Sequence, residues 1–180
     1  MIGRRLTAVS ESLCDGSLTP LLQHLVEGQT RRLTMWDAKT RKRKLTFLTQ
    51  NHIRRIAFSH DEKWLATGHI RGDAMIRHAR TGQLRLTLQA GTKSMYALAC
   101  SPQDETLATG GADGIVRLWN VESGDLFSSF PAHQSGGVFN LVFGLNANTS
   151  FTCGGDKIVK RWDLSSNKVK TEYKGHTTAV

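Results

Sequence analysis

The amino-acid sequence predicts an all-β protein built from a repeated unit of four short antiparallel strands. Two observations support this prediction. The stretch 106–120, two apolar runs around a Gly-rich turn, has the pattern of a β-hairpin and recurs at residues 151–163. A tryptophan position recurs with it at intervals of 41, 42 and 43 residues, and it is occupied in turn by Trp36, Arg77, Trp119 and Trp162. A fixed period of this length is the signature of a repeat architecture.

The first two units are read from alternating apolar runs and from the recurring end of the hairpin. In the first unit, strands are predicted at residues 21–26, 33–37 and 45–48. In the second, they are predicted within residues 53–62, which run into a polar turn, and at 64–68, 72–82 and 84–88. The spacing places Arg77 in the tryptophan position of the second unit, so the missing tryptophan is a substitution and not a gap.

The third and fourth units repeat the plan more clearly. The third has strands within residues 95–102, 106–120 and 126–130, and the fourth within 138–143, 151–163 and 169–173. Residues 175–180 resemble the opening of a fifth unit. The predicted units are therefore 1–48, 49–88, 89–130 and 131–173, with the start of a fifth at 174–180.

The charge of the chain is concentrated in one segment. The formal net charge is +9, and residues 31–85 hold 14 Lys/Arg against 4 Asp/Glu, whereas the rest holds 10 against 11. This segment is a candidate electrostatic footprint for an acidic partner.

Several function classes are disfavoured by what the sequence lacks. No apolar core follows the basic N-terminus and no stretch is long enough to span a membrane, which predicts an intracellular protein, cytoplasmic or nuclear, with no membrane partner. The three cysteines Cys14, Cys100 and Cys153 form no C-x-x-C pair, and the seven histidines form no metal-binding motif. The turn at 110–114 lacks the Lys-Ser/Thr of a phosphate loop. We therefore expect no catalytic site, cofactor, metal or small-molecule substrate.

The repeat resembles the WD-repeat β-propeller family. Its units have Gly-His before the first strand and Trp-Asp at the end of the third, and Gly-x-Asp-x-x-Val-x-x-Trp-Asp/Asn recurs at fixed spacing over about residues 28–180. The resemblance implies a β-propeller of four-stranded antiparallel blades, with about four blades and the first strand of a fifth present. It also implies a non-catalytic scaffold that mediates protein–protein interactions in a multi-protein assembly.

The resemblance also implies a buried polar network in each blade. In the fourth unit all four members of the family pattern are present, namely His133, Thr152, Asp156 and Trp162. A carboxylate that faces an imidazole and a hydroxyl satisfies buried polar groups that would otherwise cost about 1–3 kcal/mol each. We expect these residues to be structural.

The other two networks depart from the pattern. The third unit keeps Thr109, Asp113 and Trp119 but has Ala90 and Gly91 where the histidine belongs. The second has Arg71 in the aspartate position and Arg77 in the tryptophan position, followed by His78. Either this blade is degenerate or its arginines face a partner. Unpaired guanidinium groups must reach water or a carboxylate, because they cannot lie in a dry core.

The basic segment has two readings. The cluster Lys39, Arg41, Lys42, Arg43 and Lys44 lies in the predicted turn between the last two strands of the first blade, either as a solvated loop or as a nuclear-import or nucleic-acid patch. Arg54, Arg55 and Arg71 are predicted near the loops of the opposite face. Only Trp64 and Tyr96 lie near these charges, so an acidic protein surface is favoured over RNA in a nuclear processing complex.

A narrower resemblance concerns the second unit. Residues 66–68 and 72–78, with His78 ending the strand, and the turn 164–168 resemble the propeller of the γ-tubulin-recruiting WD-repeat adaptors of spindles and centrosomes. This implies a tubulin-type acidic partner and a cytoskeletal or centrosomal location. Because the family typically needs about seven blades to close a propeller, we expect the chain to be part of a longer propeller or to close by pairing with a second chain.

Overall fold

A computed structural model of the chain is all-β. It describes the backbone of strands β1 (Leu6–Ser12) and β2 (Leu21–Gln29), and residues 31–37, 40–91 and 93–179 with their side chains. In this part of the chain there is no helix, and hence none that could cross a membrane.

In the described residues sixteen strands form four antiparallel sheets of four, each sheet paired in chain order. The first sheet, blade one, comprises β1, β2, β3 (Arg32–Asp37) and β4 (Arg43–Leu48). Blade two comprises β5 (Ile53–Phe58), β6 (Trp64–His69), β7 (Asp73–His78) and β8 (Leu84–Gln89). Blade three comprises β9 (Met95–Cys100), β10 (Thr106–Gly111), β11 (Ile115–Asn120) and β12 (Leu126–Pro131). Blade four comprises β13 (Val138–Phe143), β14 (Thr149–Gly154), β15 (Val159–Asp163) and β16 (Lys168–Tyr173).

The sheets pack through their first strands and their faces. The first strand of each blade contacts the first strand of the next, β1 against β5, β5 against β9 and β9 against β13. Three apolar clusters fill the spaces between successive blades, one cluster to each space. Their central residues include Leu33, Met35 and Leu65; Ile76, Met95 and Leu107; and Val116, Val138 and Trp162. The predicted fold class, a partial propeller of four-stranded antiparallel blades, is confirmed. The predicted first strand of a fifth blade is not formed in the described residues 174–179.

The strand register repeats from blade to blade. Arg77 pairs with Leu65 as Trp119 pairs with Leu107, so the arginine occupies the tryptophan position. In every blade the fourth strand has a β-bulge. The bulge comes directly after the fourth-strand residue that pairs with the tryptophan position of the third strand. In such a bulge one residue of the fourth strand is left unpaired and its side chain is re-aimed. These four equivalent positions are Lys44, Arg85, Phe127 and Lys170.

The connections divide the blades into two ends. The upper end carries the turns between second and third strands, residues 70–72, 112–114 and 155–158, and the loops between blades, 49–52, 90–94 and 132–137. The lower end carries the other connections within each blade, such as 59–63, 79–83, 101–105, 121–125 and 164–167. Residues distant along the chain therefore share an end according to which connection holds them.

Gly114 lies where the upper turn of blade three meets the next loop. Its φ is +76°, a left-handed value that glycine adopts without a steric penalty. A β-carbon at this position would overlap the backbone carbonyl oxygen of His133, and this oxygen belongs to the loop that brings in blade four.

We predict that Gly114→Ala lowers the free energy of unfolding by about 2 kcal/mol or more, because it combines left-handed strain with a backbone clash. Denaturant unfolding would measure the change. The matched control is Gly124→Ala, where φ is +82° but the new β-carbon would lie 3.3 Å from a flexible Leu86 side chain. An equal loss in the two variants would contradict the proposed clash.

Candidate functional site

The polar network of blade four connects four side chains. His133 Nδ1 lies 2.7 Å from Asp156 Oδ1, and His133 Nε2 lies 2.8 Å from Thr152 Oγ1. Trp162 Nε1 donates to the same hydroxyl at 2.8 Å. An ionised Asp156 only accepts, which places the imidazole proton on Nδ1 and lets Thr152 donate to Nε2 while it accepts from Trp162. Every polar atom of this chain of contacts thus has a partner.

Burial sets the protonation of this network. His133 is 2% exposed, and desolvation lowers the pKa of its imidazole although Asp156 favours the charged form. Burial raises the pKa of Asp156, but the contacts with His133, the Ile158 N–H and Lys160 together outweigh that effect, and the net pKa is lowered. A neutral histidine beside an ionised aspartate suits a structural brace.

In blade three the buried threonine and the turn aspartate have partners although no histidine is present. Trp119 Nε1 donates to Thr109 Oγ1 at 3.0 Å, as in blade four. Gly91 occupies the position of His133, and a β-carbon there would lie 3.3 Å from Asp113 Oδ2. Arg117 Nη1 fills this space and pairs with Asp113 at 2.7 Å. A guanidinium therefore replaces the imidazole as the partner of the turn aspartate.

Blade two contains a network that the sequence analysis did not identify. His69 is fully buried in β6, with Nε2 2.9 Å from Thr67 Oγ1 and Nδ1 3.5 Å from Asp73 Oδ2. Asn51 Nδ2 donates to the other carboxylate oxygen of Asp73 at 3.2 Å. Burial lowers the pKa of His69, against the opposing charge of Asp73.

His69 supplies from a strand the imidazole that blade four supplies from a loop. It stands at the register position of Gly154, where a β-carbon would overlap the ring of His133. The signal in the sequence was a His and an Asp four residues apart around the turn of the second unit, in place of the usual pattern.

Arg77 lies inside the interface between blades one and two. Its guanidinium carbon lies 4.6 Å from the centroid of the Phe47 ring, and Nη1 donates to the carbonyl of Gly82 at 3.2 Å. No carboxylate in the described part of the chain pairs with it. The half-buried guanidinium is stabilised by this ring face and this carbonyl dipole. The next residue, His78, packs edge-on against Trp64, with ring centroids 5.6 Å apart.

Arg54 and Arg55 lie in β5, the innermost strand of blade two. Arg55 donates through Nε to the carbonyl of Tyr96 and through Nη2 to that of Phe139 at 3.3 Å. It therefore joins blade two to blades three and four. Arg54 is half-buried. Arg55, Tyr96 and Phe139 border an open pocket of about 540 Å³.

The exposed cations of the basic segment are divided between the two ends. Arg71 is exposed in the upper turn of blade two. At the lower end Arg41, Lys42 and Arg43 are exposed, whereas Lys39 lies outside the described residues. Lys44 pairs with Asp37 at 3.2 Å. Thr40 N–H also donates to Asp37, and these contacts lower the pKa of Asp37 to about 2.

Arg80 joins this lower cluster from blade two. It lies in the turn 79–83, where Gly82 packs closely enough on Leu45 of β4 that a β-carbon would lie 2.8 Å from that side chain. The turn therefore rests on the fourth strand of blade one. We call the exposed cations of these two lower turns the basic patch, composed of Arg41, Lys42, Arg43 and Arg80.

The described residues contain no group of three His, Cys, Asp or Glu that could hold a metal ion. Cys100 and Cys153 are free thiols, and burial raises the pKa of Cys100 to about 12. A thiol with so high a pKa is a poor nucleophile near neutral pH.

Comparison with known proteins finds one family model. The WD40 model, described as WD domain, G-beta repeat, matches residues 42–78, 82–120 and 124–163, which is well over half of the chain. Among solved structures, one described as "Structure of U3-55K" superposes with a TM-score of 0.81 over 88% of this chain and 50% of that one. The two are 20% identical, so this likeness concerns the fold alone.

Several curated proteins are similar over parts of the chain. The Periodic tryptophan protein 2 homolog of Dictyostelium discoideum is 32% identical over 88 residues, which is 48% of this chain and 10% of that protein. Actin-interacting protein 1 of Drosophila melanogaster is 32% identical over 98 residues, 53% of this chain and 16% of that protein. The Pre-rRNA-processing protein IPI3 of Mycosarcoma maydis is 47% identical over 39 residues, 22% of this chain and 7% of that protein. The chain thus spans a small fraction of the length of these relatives.

The buried histidines predict a pH dependence of stability. The pKa values of His69 and His133 are lowered in the folded chain, so on acidification below about 6.5 the unfolded chain takes up protons that the folded chain does not. We expect the free energy of unfolding to fall as pH drops through that range, by at most about 1.4 kcal/mol per pH unit for each histidine. Denaturant unfolding as a function of pH would measure this slope.

The double variant His69→Gln with His133→Gln should flatten the slope. The control is His52→Gln, which changes an exposed histidine and should leave it intact. A double variant with the original slope would rule out these two groups as its origin.

Proposed function

The chain belongs to the WD-repeat family, whose members generally act as non-catalytic scaffolds for protein assemblies, and we propose that it binds an acidic protein partner through the basic patch. The observation that supports this proposal is the junction of two blades at Arg41, Lys42, Arg43 and Arg80. All four side chains are exposed, and none pairs with a carboxylate in the described part of the chain. An excess of unpaired charge on one surface attracts a partner of opposite sign and speeds its association.

The carboxylate beside the patch does not neutralise it. Asp37 already binds Lys44 and the backbone of Thr40. The contacts with Thr40 and Lys44 lower the pKa of Asp37, so its negative charge is already balanced within blade one. An incoming carboxylate would therefore find donors on the four patch residues that no carboxylate of the described residues occupies.

The proposal leaves out several cations that the sequence suggested. Arg55 and Arg77 make internal contacts, and Arg54 and His78 are half-buried. Arg71 is exposed, but it lies at the upper end, opposite the end that carries the patch. An acidic tubulin-type surface and an intracellular setting are compatible with the proposal and form its finer version.

RNA is the alternative ligand. Its support is that IPI3, a relative over 39 residues, is named for pre-rRNA processing. Binding of single-stranded RNA uses aromatic side chains as stacking platforms beside the cations. In the described part of the chain the exposed large aromatics are Phe127 and Tyr173, and neither belongs to the patch. The acidic-protein reading is therefore the better supported of the two.

We predict that replacing Arg41, Lys42, Arg43 and Arg80 by glutamine weakens binding of a fluorescent glutamate-rich peptide about tenfold or more, since each exposed ion pair contributes about 0.2–1 kcal/mol. Fluorescence anisotropy would give both dissociation constants. The control changes two exposed cations at the upper end, Arg71→Gln with Lys93→Gln, and should leave the affinity unchanged.

A labelled oligouridine tests the alternative in the same assay. If it binds more tightly than the peptide, and its affinity falls steeply between about 50 and about 200 mM salt, the RNA reading replaces the proposal. Equal peptide affinity of the patch variant and the original chain would also refute the proposal.

A further inference from the structure

The bulge position in the fourth strand holds a paired lysine in blades one and four. In blade one Lys44 Nζ lies 3.2 Å from Asp37 Oδ2, and in blade four Lys170 Nζ lies 3.2 Å from Asp163 Oδ2. In both cases the carboxylate directly follows the tryptophan position. A cation at the bulge therefore closes the lower edge of the blade onto its own third strand.

Blade three has lost both members of this pair. Phe127 stands at the cation position and Asn120 at the carboxylate position. The Asn120 side chain instead accepts the backbone N–H groups of Glu122 and Ser123 in the lower turn. Phe127 is 57% exposed, and the neighbouring Leu126 is 46% exposed. Two adjacent large apolar side chains are thus exposed to water where the other blades have a lysine or arginine that pairs with a carboxylate.

Blade two shows that the position need not be left open. Arg85 stands at its bulge, 4.5 Å from the centroid of the Trp64 ring, and donates to Glu122 at 2.6 Å. A long side chain there can cover its own blade and reach the next one. In blade three the phenylalanine has no hydrogen-bonding group with which to do so.

The surroundings of Phe127 are acidic although the chain is basic. Residues 101–131 contain five carboxylates and one arginine, while the whole chain has a net charge of +9. The arginine is Arg117, which is held by Asp113. Three of the carboxylates, Glu105, Glu122 and Asp125, lie in the lower connections of blade three and are exposed. The Glu122 side chain is 83% exposed despite its bond to Arg85.

We propose that this surface is a second docking site, which binds a basic protein segment with an aromatic or aliphatic anchor. We call it the acidic-apolar patch, composed of Glu105, Glu122, Asp125, Leu126 and Phe127. The anchor would remove Leu126 and Phe127 from water, and lysine or arginine side chains beside it would pair with the carboxylates. An apolar centre with a charged rim is the arrangement of protein docking sites. Its charge repels the acidic partner of the basic patch, so the two sites select different segments.

The test uses a short labelled synthetic peptide of lysine, leucine and phenylalanine, with fluorescence anisotropy as the readout. Two comparison peptides replace either the lysines by glutamate or the apolar residues by serine. We expect the first peptide to bind the whole chain, with an affinity that falls with salt, and the comparison peptides to bind at least about tenfold more weakly. Equal binding of the three peptides would overturn the proposal.

Phe127→Lys is the deciding variant. It restores the residue type found at the same bulge in blades one and four, so the fold accommodates it. We expect it to weaken binding of the first peptide about tenfold or more. The control is Leu84→Arg, which changes a 44% exposed leucine at the register position of Leu126 in blade two, and of Arg43 in blade one. It should leave binding unchanged.

Two outcomes would refute the docking site. One is a Phe127→Lys variant that binds as tightly as the original chain while its unfolding midpoint is unchanged. The other is self-association in sedimentation that both Phe127→Lys and the neutralised basic patch abolish, since the occupant would then be a second copy of the chain.

Discussion

Blades two, three and four each bury a threonine hydroxyl on the second strand, and the polar structure of these blades depends on how that hydroxyl is satisfied. Thr152 uses a histidine from the preceding loop and the indole of Trp162. Thr67 uses His69 from its own strand. Thr109 keeps the indole, and an arginine takes over the turn aspartate beside it. The three blades share the same backbone geometry, but different side chains form hydrogen bonds with the buried hydroxyl. Because an unsatisfied buried group costs about 1–3 kcal/mol, each of these three hydroxyls has a partner nearby, whereas His69 Nδ1 and Asp73 Oδ2 have no hydrogen bond among the described residues.

The strand plan and register could be predicted from the sequence because they depend on period and alternation. The spacing of 41 to 43 residues placed Arg77 in the tryptophan register although the residue itself is different. The contacts of Arg77 could not be predicted in the same way. They depend on Phe47 and Gly82, which belong to another blade and to a turn. The sequence predicts that the second unit is either degenerate or has arginines that face a partner. Neither alternative predicts that its hydroxyl is satisfied by His69, a residue outside the expected pattern.

The distribution of charge over the surface is the property that the sequence predicts least directly. The segment 31–85 is uniformly basic in the sequence, but successive connections of an antiparallel sheet emerge at opposite ends. Arg71 is thereby separated from Arg41, and Arg80 is brought to the edge of blade one. Blade three is acidic at the same lower end. The lower end therefore carries both signs of charge in different sectors, which neither the net charge nor a window along the chain could reveal.

The bond from Arg55 to the carbonyl of Phe139 spans 84 residues and connects blade two with blade four. Repeat arrays are commonly treated as one-dimensional chains in which each unit senses only its immediate neighbours, so that stability is a sum over units and adjacent interfaces. Curvature breaks that description here, because it brings the innermost strands of non-adjacent blades within reach of one long side chain. A perturbation in blade four can reach blade two without passing through the packed faces of blade three.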